Sequence, residues 1–157
     1  MNFKYSSLIL GLLALPILGS PLHAAGNVEV EADQMEIIDA EHKTIFTGNV
    51  ISTRPSETIK SDEMVVTTAD VKQTDGTMKT VTDKVNATGN VVIKTKSQTI
   101  TGSSAIFDVQ ANTLEVMGNV RVVQGESNLK GQKLVVNLTT NNLQMSGGRV
   151  KGSFIPK

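Results

Sequence analysis

The chain has no cysteine and no tryptophan, one tyrosine and four phenylalanines among 157 residues. Without a thiol there is no disulfide, no thiolate nucleophile and no attachment point for the lipid of a bacterial lipoprotein. Histidine is almost absent: His23 and His42 are the two, and His42 sits in a polar Ala40-Glu41-His42-Lys43 stretch that reads as a solvated turn. No Gly-x-Ser-x-Gly elbow, phosphate loop or histidine-rich metal spacing occurs. The expectation is therefore a protein that is not an enzyme, with no catalytic residue, no metal and no cofactor. An excess of one charge is missing as well, with 15 basic and 15 acidic residues. A balanced chain so poor in aromatics suits neither the phosphate backbone nor the stacked bases of nucleic acid.

Long hydrophobic runs are also lacking. The one apolar run, Leu8 to Leu18, is eleven residues long and contains Gly11 and Pro16. It is too short to span a bilayer comfortably. A Lys4-bearing start, this run and the small-residue ending Ser20-Pro21-Leu22-His23-Ala24-Ala25 follow the plan of a secretory signal peptide. Cleavage is expected after Ala24, so residues 1–24 are the signal peptide and 25–157 a single domain. The mature chain then has 14 basic against 15 acidic residues, and its aromatics are Phe46, Phe107 and Phe154.

What is abundant is Val, Thr and Ile, punctuated by Gly-Asn, which is the composition of strands and tight turns. Segments such as Met64-Val65-Val66-Thr67-Thr68 and Lys133 to Leu138 alternate with period two. The punctuation is itself periodic. Gly48-Asn49-Val50, Gly89-Asn90-Val91 and Gly118-Asn119-Val120 are followed more loosely by Gly147-Gly148-Arg149-Val150, at spacings of 41, 29 and 29. A second series, Asp33, Asp62, Ser103 and Gln132, steps by 29, 41 and 29. The two long steps overlap only between Asp62 and Gly89. A unit of about 29 residues thus occurs four times, with a 12-residue insertion in its second copy around 70–83. The insertion is polar and carries Asp75-Gly76, a two-residue hairpin turn signal, so it reads as a protruding hairpin or a mobile loop.

Aligning the four units selects an inward face. Met35, Met64, Ala105 and Leu134 form one column, and Ile37, Val66, Phe107 and Val136 a second. Residues two apart share a strand face, so both columns are expected to line one interior. Val30, Ile59, Ile100 and Leu129 form a third apolar column, and Leu114, Val116, Val120 and Val122 flank one Gly turn. The odd offset from Val30 to Met35 calls for a bulge near Asp33. The carboxylates Glu29, Glu31, Asp33, Glu36, Asp39 and Glu41 alternate with apolar residues and read as a wet strand face. Charge is also segregated. Residues 25–42 hold six acids and no Lys or Arg, whereas residues 127–157 hold five basic residues and no acid. Repeats of opposite sign at the two ends favour head-to-tail self-association, which salt should weaken if exposed charges carry it.

The ordered motifs Val28-Glu29-Val30-Glu31-Ala32-Asp33-Gln34, Phe46-Thr47-Gly48-Asn49-Val50, Thr58-Ile59-Lys60 with Val65-Val66-Thr67, and Ser127 to Lys133 carry a resemblance. The chain resembles the periplasmic lipopolysaccharide transport protein A (LptA, or OstA-like) family over nearly all of its mature length. The resemblance implies an all-β fold, a β-jellyroll of two facing antiparallel sheets, slightly open, with a greasy groove. It implies carriage of lipopolysaccharide across the periplasm, acyl chains in the groove. It also implies an inner-membrane-anchored partner at the N-terminal edge (Val28, Val30) and the periplasmic domain of an outer-membrane barrel at the C-terminal edge (Val150, Phe154).

Carried onto this sequence, the lipid-contacting positions fall on Val28, Val30, Phe107 and Val109. Family members have a larger aromatic pair where this chain has Ile106-Phe107, which implies a roomier groove. The column argument adds Ile37, Met64, Val66, Leu134 and Val136, and Phe46 and Val120 complete the expected lining. The competing readings are an exported structural β-solenoid or adhesin-type subunit with a filled core, a membrane-anchored member of the same pathway, and an enzyme.

Overall fold

The structure, a computed structural model, describes residues 28–155; the signal peptide expected at 1–24 lies outside the described residues. Ten strands follow one another: β1 (Glu29–Glu31), β2 (Gln34–Ile38), β3 (Lys43–Arg54), β4 (Glu57–Lys72), β5 (Met78–Thr95), β6 (Thr99–Asp108), β7 (Thr113–Gln124), β8 (Ser127–Asn137), β9 (Asn142–Ser146) and β10 (Lys151–Ser153). They form a single antiparallel sheet in the order β1-β3-β4-β5-β6-β7-β8-β10. β2 pairs with β3 and β9 with β8, so β1 and β2 make one edge and β9 and β10 the other.

Each long strand is broken at the repeated motifs, and the β4–β5 ladder shifts a second time at Thr67/Thr68, where the insertion begins. The register shifts at the motifs fall at Thr47/Val50, Lys60/Glu63, Thr88/Val91, Thr101/Ser104 and Met117/Val120. At the Gly-Asn pairs both residues have positive φ, as at Gly89 (80°) and Asn90 (48°), or Gly118 (82°) and Asn119 (49°). Glycine takes this conformation freely and asparagine is the side chain that tolerates it best. The second series packs against the first. A Cβ on Gly89 would overlap Asp62, and one on Gly118 would overlap Ser103. Asn49 Nδ2 donates to Asp33 at 2.9 Å and Asn90 Nδ2 to Asp62 at 2.8 Å. In the later units Ser103 Oγ donates to the Gly118 carbonyl at 3.3 Å, and Gln132 Oε1 accepts from the Asn119 backbone N–H at 3.2 Å. The bulge expected near Asp33 is the gap between β1 and β2, where Asp33 N–H donates to the Gly48 carbonyl at 2.9 Å.

These breaks fold the sheet into two facing walls joined along a corner. On the first wall one rung of directly paired residues runs Met35, Phe46, Met64, Ala87, Ala105, Val116, Leu134 and Met145. The next runs Ile37, Thr44, Val66, Val85, Phe107, Leu114, Val136 and Leu143. On the second wall the inner rung is Val30, Ser52, Ile59, Ile93, Ile100, Val122, Leu129 and Gly152. Residues of both walls share one core. Burial is deepest near the corner, at Val50, Val91, Val116, Val120 and Leu134.

The insertion is a hairpin. β4 and β5 continue past the sheet body to Lys72 and Met78. The turn differs from the two-residue form expected. Gly76 N–H donates to the Gln73 carbonyl at 3.0 Å and Gln73 N–H to the Thr77 carbonyl at 2.7 Å, leaving a three-residue loop with Gly76 at φ 87°. Asp75 accounts for the longer loop, because its carboxylate accepts from both Thr77 N–H and Thr77 Oγ1 and pins the turn one residue further on.

Candidate functional site

Away from the corner the walls do not close. Between them lies a cavity of about 600 Å³. Ile93 and Ile100 line it from the second wall, and Leu114, Val136, Leu138 and Leu143 from the first. Its rim is polar and comes mainly from the hairpin turns of the second wall, Ser56 and Glu57, Thr95 to Gln98, and Gln124, with Asn141 added from the β8–β9 turn of the first. The lips therefore differ in chemistry. The lip of the first wall is mostly apolar, Leu138 and Leu143 with Asn141 between them in sequence, and the opposite lip is hydroxyl, amide and charge. An apolar floor beneath a polar rim weighted to one side suits a ligand with a hydrocarbon part and a water-seeking part.

One ion pair sits among these inward positions. Arg54 and Glu57 face each other across the β3–β4 turn at 3.1 Å, with side chains only 5% and 17% exposed. Burial pushes the Arg54 guanidinium below its ordinary pKa, and the Glu57 carboxylate acts in the opposite direction. Arg54 and Glu57 close the second wall toward the N-terminal edge, next to the cavity rim. Among the described residues no group of three or more His, Cys, Asp or Glu side chains is arranged to hold a metal.

The structure sorts the expected lining residues into three groups. Phe46, Met64, Val66, Val120, Leu134 and Val136 are buried in the shared core, and of these only Val136 lines the cavity. Val30, Phe107 and Val109 are half-buried and packed against that core. Ile37 is on an inward rung but 44% exposed, like Met35 at 57%, because β2 has a neighbour on one side only. Val28 is half-buried just ahead of edge strand β1. Val150 and Phe154, exposed, flank edge strand β10. Ile93, Ile100, Leu114, Leu138 and Leu143 were missed as lining residues. The columns of Ile100 and Leu114 pointed to the right face, but depth along the strand has no period-two signature.

The family model for "LptA/(LptD N-terminal domain) LPS transport protein" matches residues 29–142. The chain belongs to this family. An uncharacterized protein of Rhizobium meliloti (strain 1021) is 29% identical over 136 residues, which is 83% of this chain and 72% of that protein. Among solved structures, the fold is similar to that of LptH from Pseudomonas aeruginosa, described as the LptA-homologous periplasmic component of the lipopolysaccharide transport device. The TM-score is 0.68 at 16% identity, over 83% of this chain and 96% of that one. The likeness to LptH establishes the β-jellyroll. The family so described is one of lipopolysaccharide transport proteins.

Proposed function

We propose that this protein binds lipopolysaccharide through its acyl chains and carries it across the periplasm, from inner to outer membrane, as one element of a head-to-tail protein bridge. The observation that carries the reading is the set of inward rungs. They run from edge to edge of the sheet, apolar except at Thr44 and Ser52, and open at the mouth into a cavity floored by aliphatic side chains. Each methylene removed from water there contributes about 0.8 kcal/mol. Aliphatic contacts are non-directional, so a chain can slide along them without breaking specific bonds. The two sheet edges leave backbone donors and acceptors unpaired, and strand addition by a neighbour would satisfy them and extend the groove. In this reading a membrane-anchored partner adds at the Val28–Val30 edge. The periplasmic domain of an outer-membrane barrel adds at the edge flanked by Val150 and Phe154.

The test is site-specific photo-crosslinking to lipopolysaccharide in a Gram-negative periplasm. A crosslinking residue at Ile93 or Leu143 is expected to capture the lipid, and one at Thr67, on the outer face, is not. Folded protein that captures nothing at Ile93 and Leu143 would sink the proposal and favour a structural role.

A further inference from the structure

The outer face of the second wall carries a rung whose charge is unbalanced. It runs Glu31, Ile51, Lys60, Val92, Thr101, Arg121, Lys130 and Lys151. Its last three members are cations placed side by side, and like charges directly opposite one another on a sheet repel. Beside them is a concavity of about 300 Å³ formed by Asn119, Arg121, Lys130, Gln132 and Arg149, among others. None of Arg121, Lys130, Arg149 or Lys151 belongs to the four ion pairs among the described residues. The cluster is at the β10 edge, and the same rung starts at the β1 edge with an exposed acid, Glu31.

We propose that the cationic end of this rung receives the carboxylate of Glu31 from a second copy of the chain, fixing the register of the head-to-tail joint with Glu31 of one copy opposite Lys151 of the next and beside Lys130. The proposal rests on the bridge reading above and adds a site and a register to it. Strand directions alternate throughout the sheet, so a copy that continues the alternation sets its β1 antiparallel to β10. The register then follows from rungs already present. Placing Glu31 on Lys151 brings Val30 to Gly152 on the inner face, and on the other wall Met35 meets Met145 and Ile37 meets Leu143. Met35, Ile37 and Leu143 are among the large apolar side chains left exposed. One placement thus covers apolar groups on the inside and neutralises cations on the outside. Asp33 is not the occupant, because its carboxylate already accepts from Asn49.

The chain has no cysteine, so engineered pairs report register cleanly. Glu31→Cys protein mixed with Lys151→Cys protein is expected to form a disulfide-linked dimer under mild oxidation. Glu29→Cys with Lys151→Cys, displaced by two residues or about 7 Å, is not. Lys130→Glu with Lys151→Glu should weaken self-association roughly tenfold at low salt by sedimentation, and Glu31→Lys on the other copy should restore it. Linkage in the Glu29→Cys mixture, or assembly without any linkage, overturns the register. Charge reversal that lowers lipopolysaccharide capture and leaves assembly intact would reassign the cations to a lipid anion and also overturn it. A protein that captures lipopolysaccharide at Ile93 and Leu143 but stays monomeric refutes the joint and leaves the transport reading standing; loss of that capture in the unaltered protein refutes the transport reading itself.

Discussion

The corner and the mouth of this sheet are built from the same strands to opposite ends. At the corner every strand is broken by a bulge, positive φ is taken up by Gly-Asn, and side chains such as Val91, Val116 and Leu134 are sealed from water. At the mouth the strands run straight into hairpin turns, and aliphatic side chains such as Leu114, Leu138 and Leu143 are only partly covered. The corner spends nearly all its apolar surface on folding. The mouth keeps apolar surface in reserve, and in the proposed function a lipid covers it. A substitution at the corner should therefore unfold the protein, and the same chemical change at the mouth should disable it while leaving it folded.

The largest effects belong to the corner. Leu134→Ala should lower unfolding stability by about 2–5 kcal/mol, since Leu134 is fully buried and its neighbours are held by ladders on both sides. Gly118→Val should cost about 3 kcal/mol, because a β-branched residue is forced to φ 82° and its Cβ overlaps Ser103. Urea unfolding followed by far-UV circular dichroism measures both. A loss below about 1 kcal/mol in either would mean that the corner is not the rigid part of the sheet.

The corner is also the part most legible in the sequence. Its two motif series contact each other in space, Asp62 on Gly89 and Ser103 on Gly118, so their matched spacing records a physical contact. The all-β fold, the four units, the site of the insertion and the inward face of most strands follow from spacing and alternation. The mouth was far less legible. Alternation tells inside from outside but not deep from shallow, so Met64 and Leu134 carried the same signal as Leu143. Ile37 has the pattern of a core residue and is exposed only because β2 lies at an edge. The loop at Gln73–Thr77 departed from its Asp-Gly signal because the Asp75 carboxylate bonds Thr77.

The Arg54–Glu57 pair lies between the two regimes, inward-facing yet next to the rim. Glu57→Gln would remove the carboxylate charge that faces the guanidinium, in a place 5% exposed to water. The expected loss is about 2–3 kcal/mol, smaller than at the corner, because the amide oxygen can still accept a hydrogen bond. The loss should be insensitive to added salt, as expected for a pair shielded from ions. A salt-dependent loss would mean that the turn opens readily.

At the mouth the comparison is sharpest. Leu143 is 39% exposed, so Leu143→Ser gives up only part of a side chain's burial and should cost about 1 kcal/mol or less in stability. In the proposed function it also removes one wall of the cavity floor and places a hydroxyl where hydrocarbon should slide. Photo-crosslinking of lipopolysaccharide from Ile93, across the cavity, should therefore fall several-fold in a protein whose unfolding curve is almost unchanged. If capture and stability fall together, the mouth is ordinary core that happens to be loosely packed. If neither falls, lipid enters the sheet elsewhere, and the exposed rungs at Met35 and Ile37 become the next place to look.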